Sequence, residues 1–184
     1  MEALHDPLQI AVFGIGILSS DDDPLAALAY AVGEEIARAG ALLVCGGRGG
    51  VMDAACRGAR SRGGTTLGIL PGTGAADSSP NEHLSVRVFT GTGQARNLAV
   101  ALSAHAAVAI GGGWGTLSEI ALALKHGVPV VTLAGRRPER PDGVPEPRLH
   151  AADDAPTAVR MALELGRGER RLGAVRRPSG RRRL

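Results

Sequence analysis

Glu119 follows Thr116 by three residues in the stretch AIGGGWGTLSEIALAL (109–124), directly behind a run of glycines. Free backbone N–H groups at a helix start favour an anion, and an acid held beside them is placed for proton transfer. Arg96, 23 residues upstream in TGTGQARN, supplies a guanidinium of the kind that clamps an oxyanion bidentately. A solvated surface arginine is the competing reading. Two more glycine turns precede helical patterns. FGIGILSS (13–20) holds Gly14 and Gly16, and CGGRGGVMDAA (45–55) holds Gly46, Gly47, Arg48 and Gly49. The third turn contributes Gly112, Gly113, Trp114, Gly115 and Thr116. Glycine lets backbone approach a ligand closely and tolerates positive φ. One such turn is equally well a tight strand–helix joint. Three together point to a phosphate-bearing small molecule.

Several residues carry two readings. Thr-x-x-Glu ahead of an apolar helix is also a capping box, and a Glu119 bonded to a backbone donor is not free for chemistry. Trp114 is either a lid over a flat ring or a packing plug. Arg48, flanked by glycines, either contacts the anion or faces water. His105 is a helix C-cap or a core-edge residue. Other devices are excluded. Position 19 is Ser, so GIG at 14–16 does not complete the dinucleotide fingerprint, and no Gly-Lys-Ser/Thr of a Walker A loop occurs. Cys45 and Cys56 form no metal-ligand cluster and read as buried small hydrophobes.

The elements that must position these residues follow from hydrophobic pattern. Apolar runs at 8–14, 41–47, 65–72, 84–91, 106–113 and 127–135 predict strands, with a short one near 148–152. Helices are predicted at 23–40, 50–64, 94–105, Thr116 to His126 and about 155–166. Asp23 caps the first and Pro24 fits its first position. Residues 73–84 and 136–147 read as loops. Strands alternating with helices imply right-handed parallel β-α-β units. The expected fold is α/β: a single-domain, doubly wound, Rossmann-like, mostly parallel sheet with helices on both faces. Such sheets bind ligands beyond the strands' carboxyl ends, where strand order reverses.

Composition narrows the function class. Of 184 residues 44% are hydrophobic but only 2% aromatic, too few rings for a base-stacking platform. The net charge of +3 includes seven arginines in RRLGAVRRPSGRRRL (170–184), so residues 1–169 carry −4. The expected division is a nucleotide-binding domain over 1–168 and a basic, disordered tail over 169–184. Nucleic acid enters only through that tail. No basic n-region opens the chain, and the longest apolar stretch, around 98–115, contains Ser103, His105 and several glycines, so no membrane partner and a cytoplasmic location are expected.

GGRGGVMDAACRGARSRGG, GILPG and TGTGQARNLAVALSAHAAVAIGGGWGTLSEIALALKHGVPVV together resemble the Lonely Guy-like family, often mislabelled as lysine decarboxylases. The resemblance is greatest to a bacterial branch related to molybdenum cofactor carrier proteins and, distantly, to the DNA-processing protein A fold. It covers residues 9–165. It implies a site for a nucleoside 5′-monophosphate-like ligand, whose N-glycosidic bond is hydrolysed to free base and ribose 5-phosphate. Gly112, Gly113, Gly115, Thr116 and Glu119 match the family's Pro-Gly-Gly-x-Gly-Thr-x-x-Glu motif, and Arg96 lies at the family's spacing. That implies Glu119 and Arg96 as the catalytic pair, with no required cofactor, no metal and a homodimer. Gly111 replaces the motif's Pro, and GQARN replaces Met-His-x-Arg-Lys. A non-catalytic carrier or sensor of molybdenum cofactor or a phosphorylated nucleotide is the alternative, and single-stranded DNA binding the second.

Overall fold

A computed structural model describes residues 7–20, 23–135, 137–140 and 142–175. Seven strands form one all-parallel sheet: β1 (Gln9–Gly14), β2 (Leu42–Cys45), β3 (Thr66–Leu70), β4 (Val86–Phe89), β5 (Ala106–Ile110), β6 (Val130–Leu133) and β7 (Leu149–Ala152). Their order is β4-β3-β2-β1-β5-β6-β7. The chain winds outward from β1 to β4, then crosses to the other side of β1 to lay down β5. The order therefore reverses between β1 and β5, and every strand's carboxyl end lies at one edge.

The inner strands β1, β2, β5 and β6 are short apolar runs because both sheet faces are covered there, whereas the edge strand β4 is exposed at Val86, Arg87 and Val88. Ile10, Val12, Leu43 and Val108 pack beneath α1 (Pro24–Arg38), α2 (Val51–Ser61) and α6 (Ala155–Val175). Ala11, Phe13, Val44 and Ala107 alternate to the opposite face, beneath α4 (Arg96–Leu102) and α5 (Trp114–Lys125). As the sequence predicts, the Asp23 side chain caps α1, accepting from the Leu25 N–H at 2.9 Å, with Pro24 in the first turn. Helices α1 and α2 touch backbone to backbone: a Cβ on Gly33 would collide with the Ala55 carbonyl, and one on Gly58 with that of Tyr30.

The differences from expectation lie at element ends. The 73–84 loop contains a short helix, α3 (Ala75–Ser78), where Asp77 accepts from the Thr73 and Gly74 amides. A single 3-10 turn, Gly93–Ala95, leads into α4. Helix α5 starts at Trp114, two residues earlier than the pattern suggests. Helix α6 continues past 166 to Val175, across the composition boundary at 168. The arginines from 176 onward lie outside the described residues. Among the described residues no helix is long and apolar enough to cross a membrane.

Candidate functional site

Three turns leave the reversal edge. Gly14 ends β1 against the Val51 side chain, and the Val51 N–H donates to the Ile15 carbonyl at 3.0 Å, which seats the first turn on α2. Gly50, φ +66°, packs against the backbone of Ile15 and Gly16 from the second turn. After β5, Gly111 takes φ +65° and donates its N–H to the Leu133 carbonyl at 3.0 Å. Proline has neither that φ nor that hydrogen, which explains why glycine stands here instead of the related motif's proline.

Gly113 is the N-cap of α5, and the first carbonyl it closes on belongs to itself, from the Leu117 N–H at 2.9 Å. The amides of Trp114, Gly115 and Thr116 therefore point out of the helix start with no intrahelical acceptor. Two corrections follow. Thr116 is the third helical residue rather than the cap, so Thr116 and Glu119 do not form a capping box. Glu119 sits in the second turn of α5, one turn beyond the helix-start amides that the sequence pattern set it beside. With Thr116, Ile120 and Ala123 it makes the buried face of α5, which turns its carboxylate inward.

Glu119, 5% exposed, meets Arg96, 7% exposed, at the start of α4. Their closest approach, Arg96 Nη1 to Glu119 Oε1, is 3.8 Å. That is an ion-pair distance but too long for a hydrogen bond. Burial pushes the Glu119 carboxyl up to about 7 against the opposing pull of Arg96. Burial likewise lowers Arg96, with Glu119 opposing. For both partners desolvation outweighs their mutual attraction, the usual balance for a buried pair at imperfect distance. Arg96 Nε and Nη1 are buried and have no hydrogen-bond partner among the described residues. Its guanidinium packs against Gly46, where a Cβ would occupy the same space.

The pair borders a cleft of about 490 Å³. Of the sequence-predicted residues, Gly14, Gly16, Arg48, Gly49, Arg96, Gly115 and Glu119 line it. Gly46, Gly47, Gly112, Gly113, Trp114 and Thr116 stand outside that lining. Gly46 backs Arg96, and Gly47, φ +71°, packs on Leu70 and Gly68. Thr116 is buried, and Gly112 is exposed. Trp114 is 89% exposed, so it is no packing plug. His105 takes the core-edge role: its Nδ1 accepts the Gln9 N–H at 3.0 Å. Cys45 and Cys56 are buried with sulfurs 3.6 Å apart, and no cluster able to hold a metal occurs among the described residues.

Ile15, Ile17, Met52, Ser79, Gln94 and Asn97 also line the cleft and were not legible as site residues. Ser79 is one of two non-glycine residues with positive φ among the described residues, at +48°, a conformation held at a cost where surroundings demand it. Gln94 and Asn97 had a signal available, since both flank Arg96 in the GQARN segment.

The profile of the SLOG cluster4 family matches residues 7–161. An uncharacterized protein of Archaeoglobus fulgidus is 43% identical over 126 residues, covering 68% of this chain and 80% of that one. Among solved structures, the molybdenum cofactor binding protein of Rippkaea orientalis is similar at TM-score 0.76 and 31% identity, covering 88% of this chain and 98% of that one. The molybdenum cofactor carrier protein of Chlamydomonas reinhardtii is similar at TM-score 0.75 and 34% identity, covering 87% and 98%.

Proposed function

This chain belongs to the SLOG cluster4 family, and we propose that its cleft binds a nucleoside 5′-monophosphate-like ligand and hydrolyses the N-glycosidic bond. The supporting observation is the buried Arg96–Glu119 pair at 3.8 Å, with two guanidinium donors unsatisfied, at the point where strand order reverses. The reaction consumes one water and yields free base and ribose 5-phosphate. Breaking C1′–N through an oxocarbenium-like state leaves a cation to be stabilised and a water to be deprotonated. A carboxyl whose ordinary value is raised to about 7 is a stronger base than a free glutamate yet still substantially ionised near neutrality. Glu119 takes the water's proton. Arg96 and the outward amides around Gly115 hold phosphate and ribose, with Arg48 at the outer rim. Thr116 and Gly112 to Trp114 act by shaping this turn.

The test is a panel of nucleoside 5′-monophosphates assayed for free base and ribose 5-phosphate. Release by the wild type is expected, with Glu119→Gln slower by roughly 10²–10⁴-fold while monophosphate binding survives. Full activity in that variant removes Glu119 from the chemistry.

The second reading is a carrier or sensor that holds molybdenum cofactor or a phosphorylated nucleotide as cargo without turnover. The likeness to two proteins described as binding or carrying that cofactor favours it. Absence of base release together with cofactor identified by mass spectrometry on the purified protein would decide for it. Single-stranded DNA binding is weaker: stacking platforms need several exposed rings, and among the four aromatics only Trp114 is exposed. A homodimer, resting on the resemblance alone, and a cytoplasmic location, resting on the sequence pattern alone, are the accompanying proposals.

A further inference from the structure

Asn97 follows Arg96 on α4, is 6% exposed and lines the same cleft. Its Nδ2 donates to Ser118 Oγ at 3.1 Å. Ser118 has one hydroxyl hydrogen, and that hydrogen is committed to the Gly115 carbonyl at 2.7 Å. Ser118 Oγ can therefore only accept from Asn97, so the amide must present Nδ2 to it. The orientation of Asn97 is set by this relay across α4 and α5 and is not a free choice between oxygen and nitrogen. Oδ1 is left over, buried and without a partner among the described residues.

An unsatisfied buried acceptor is costly, and the preceding residue, Arg96, which lines the same cleft, carries two unsatisfied donors, Nε and Nη1. A phosphate dianion offers acceptors only. It answers Arg96 and leaves Asn97 Oδ1 unpaired. A ligand that answers both carries acceptor oxygens and an O–H, as a phosphorylated sugar does.

We propose that Asn97 Oδ1 accepts a hydrogen bond from the ligand's 2′-hydroxyl, making the site selective for ribose over deoxyribose. The inference rests on the nucleotide reading of the Arg96–Glu119 cleft. In that reading Glu119 works at C1′, and the 2′-hydroxyl is on the adjoining carbon. Asn97 is thus a specificity-determining residue beside the catalytic pair.

The test measures the affinity of the full chain for adenosine and guanosine 5′-monophosphates and for their 2′-deoxy and 3′-deoxy forms, by calorimetry for a nucleotide that is not turned over and as the KM of base release for one that is. The 2′-deoxy forms are expected to bind about tenfold more weakly, the effect of leaving one buried acceptor unpaired, and the 3′-deoxy forms less affected. In Asn97→Leu the ribonucleotides fall to the deoxy level and the preference disappears. The melting temperature of the unliganded variant holds or rises, because the orphan acceptor is gone. Equal ribo and deoxy affinity in the wild type overturns the proposal and leaves the nucleotide reading standing, Oδ1 then being met by water. A preference that persists in Asn97→Leu also overturns it. Failure of every nucleotide to bind the wild type overturns the nucleotide reading itself. The wild-type comparison needs no variant, so a poorly folding Asn97→Leu leaves the question decidable.

Discussion

The turns after β2 and after β5 have nearly the same composition and opposite reasons for it. In Gly46–Gly50, glycine is demanded by neighbours. Gly46 leaves room for the Arg96 guanidinium, Gly47 packs at φ +71° on Leu70, and Gly50 at φ +66° has the Ile15 and Gly16 backbone against it. In Gly111–Gly115 only Gly111 is so constrained, by its φ and by Leu25. Cβ atoms on Gly112 or Gly115 would meet nothing within 4 Å. Glycines that packing requires build the scaffold of a site. Glycines that packing does not require are there for something else, and Gly115, which lines the cleft, leaves room for an approaching ligand.

The sharpest way to break this contrast is stability. Gly50→Ala forces a side chain into backbone at positive φ and is expected to cost about 3 kcal/mol or more, whereas Gly112→Ala stays within about 1 kcal/mol. Urea denaturation of the two variants measures it, and equal costs would mean the turns do not differ.

A second measurement probes what the β5 turn positions. The Glu119 carboxyl is raised from 4.5 to about 7 by burial. Its contribution to stability is complete below the unfolded value and is lost as pH rises through the folded one. Wild type should therefore lose on the order of 3 kcal/mol relative to Glu119→Gln between those two values, with no further change above. Denaturation curves at pH 4.5, 6 and 8 give the gap. A constant gap would place Glu119 in an ordinary, solvated environment.

The smallest effect separates folding from binding at one residue. Gly115→Ala lies inside the first turn of α5 with open space around it, and is expected to stabilise the protein by roughly 0.5 kcal/mol. The added methyl stands on the cleft wall, so nucleotide affinity should fall by several-fold. Unchanged affinity would take Gly115 away from the ligand.

The sequence alone determined the layers and the chain order of the site. Strands buried on both faces must be short apolar runs, and crossovers of one hand bring their carboxyl ends to one edge, so the pattern by itself puts Gly14, Arg48, Arg96 and Glu119 at a common rim, where they line the cleft. What the tertiary structure decided was which polar atoms have partners. Starting α5 at Trp114 freed Glu119 from the capping box. The Ser118 relay orphaned Asn97 Oδ1, and Gly46 proved to be the seat of Arg96. These depend on which helix lies across from which turn, to within the length of a hydrogen bond. A one-dimensional pattern carries periodicity and turn chemistry, but not that distance.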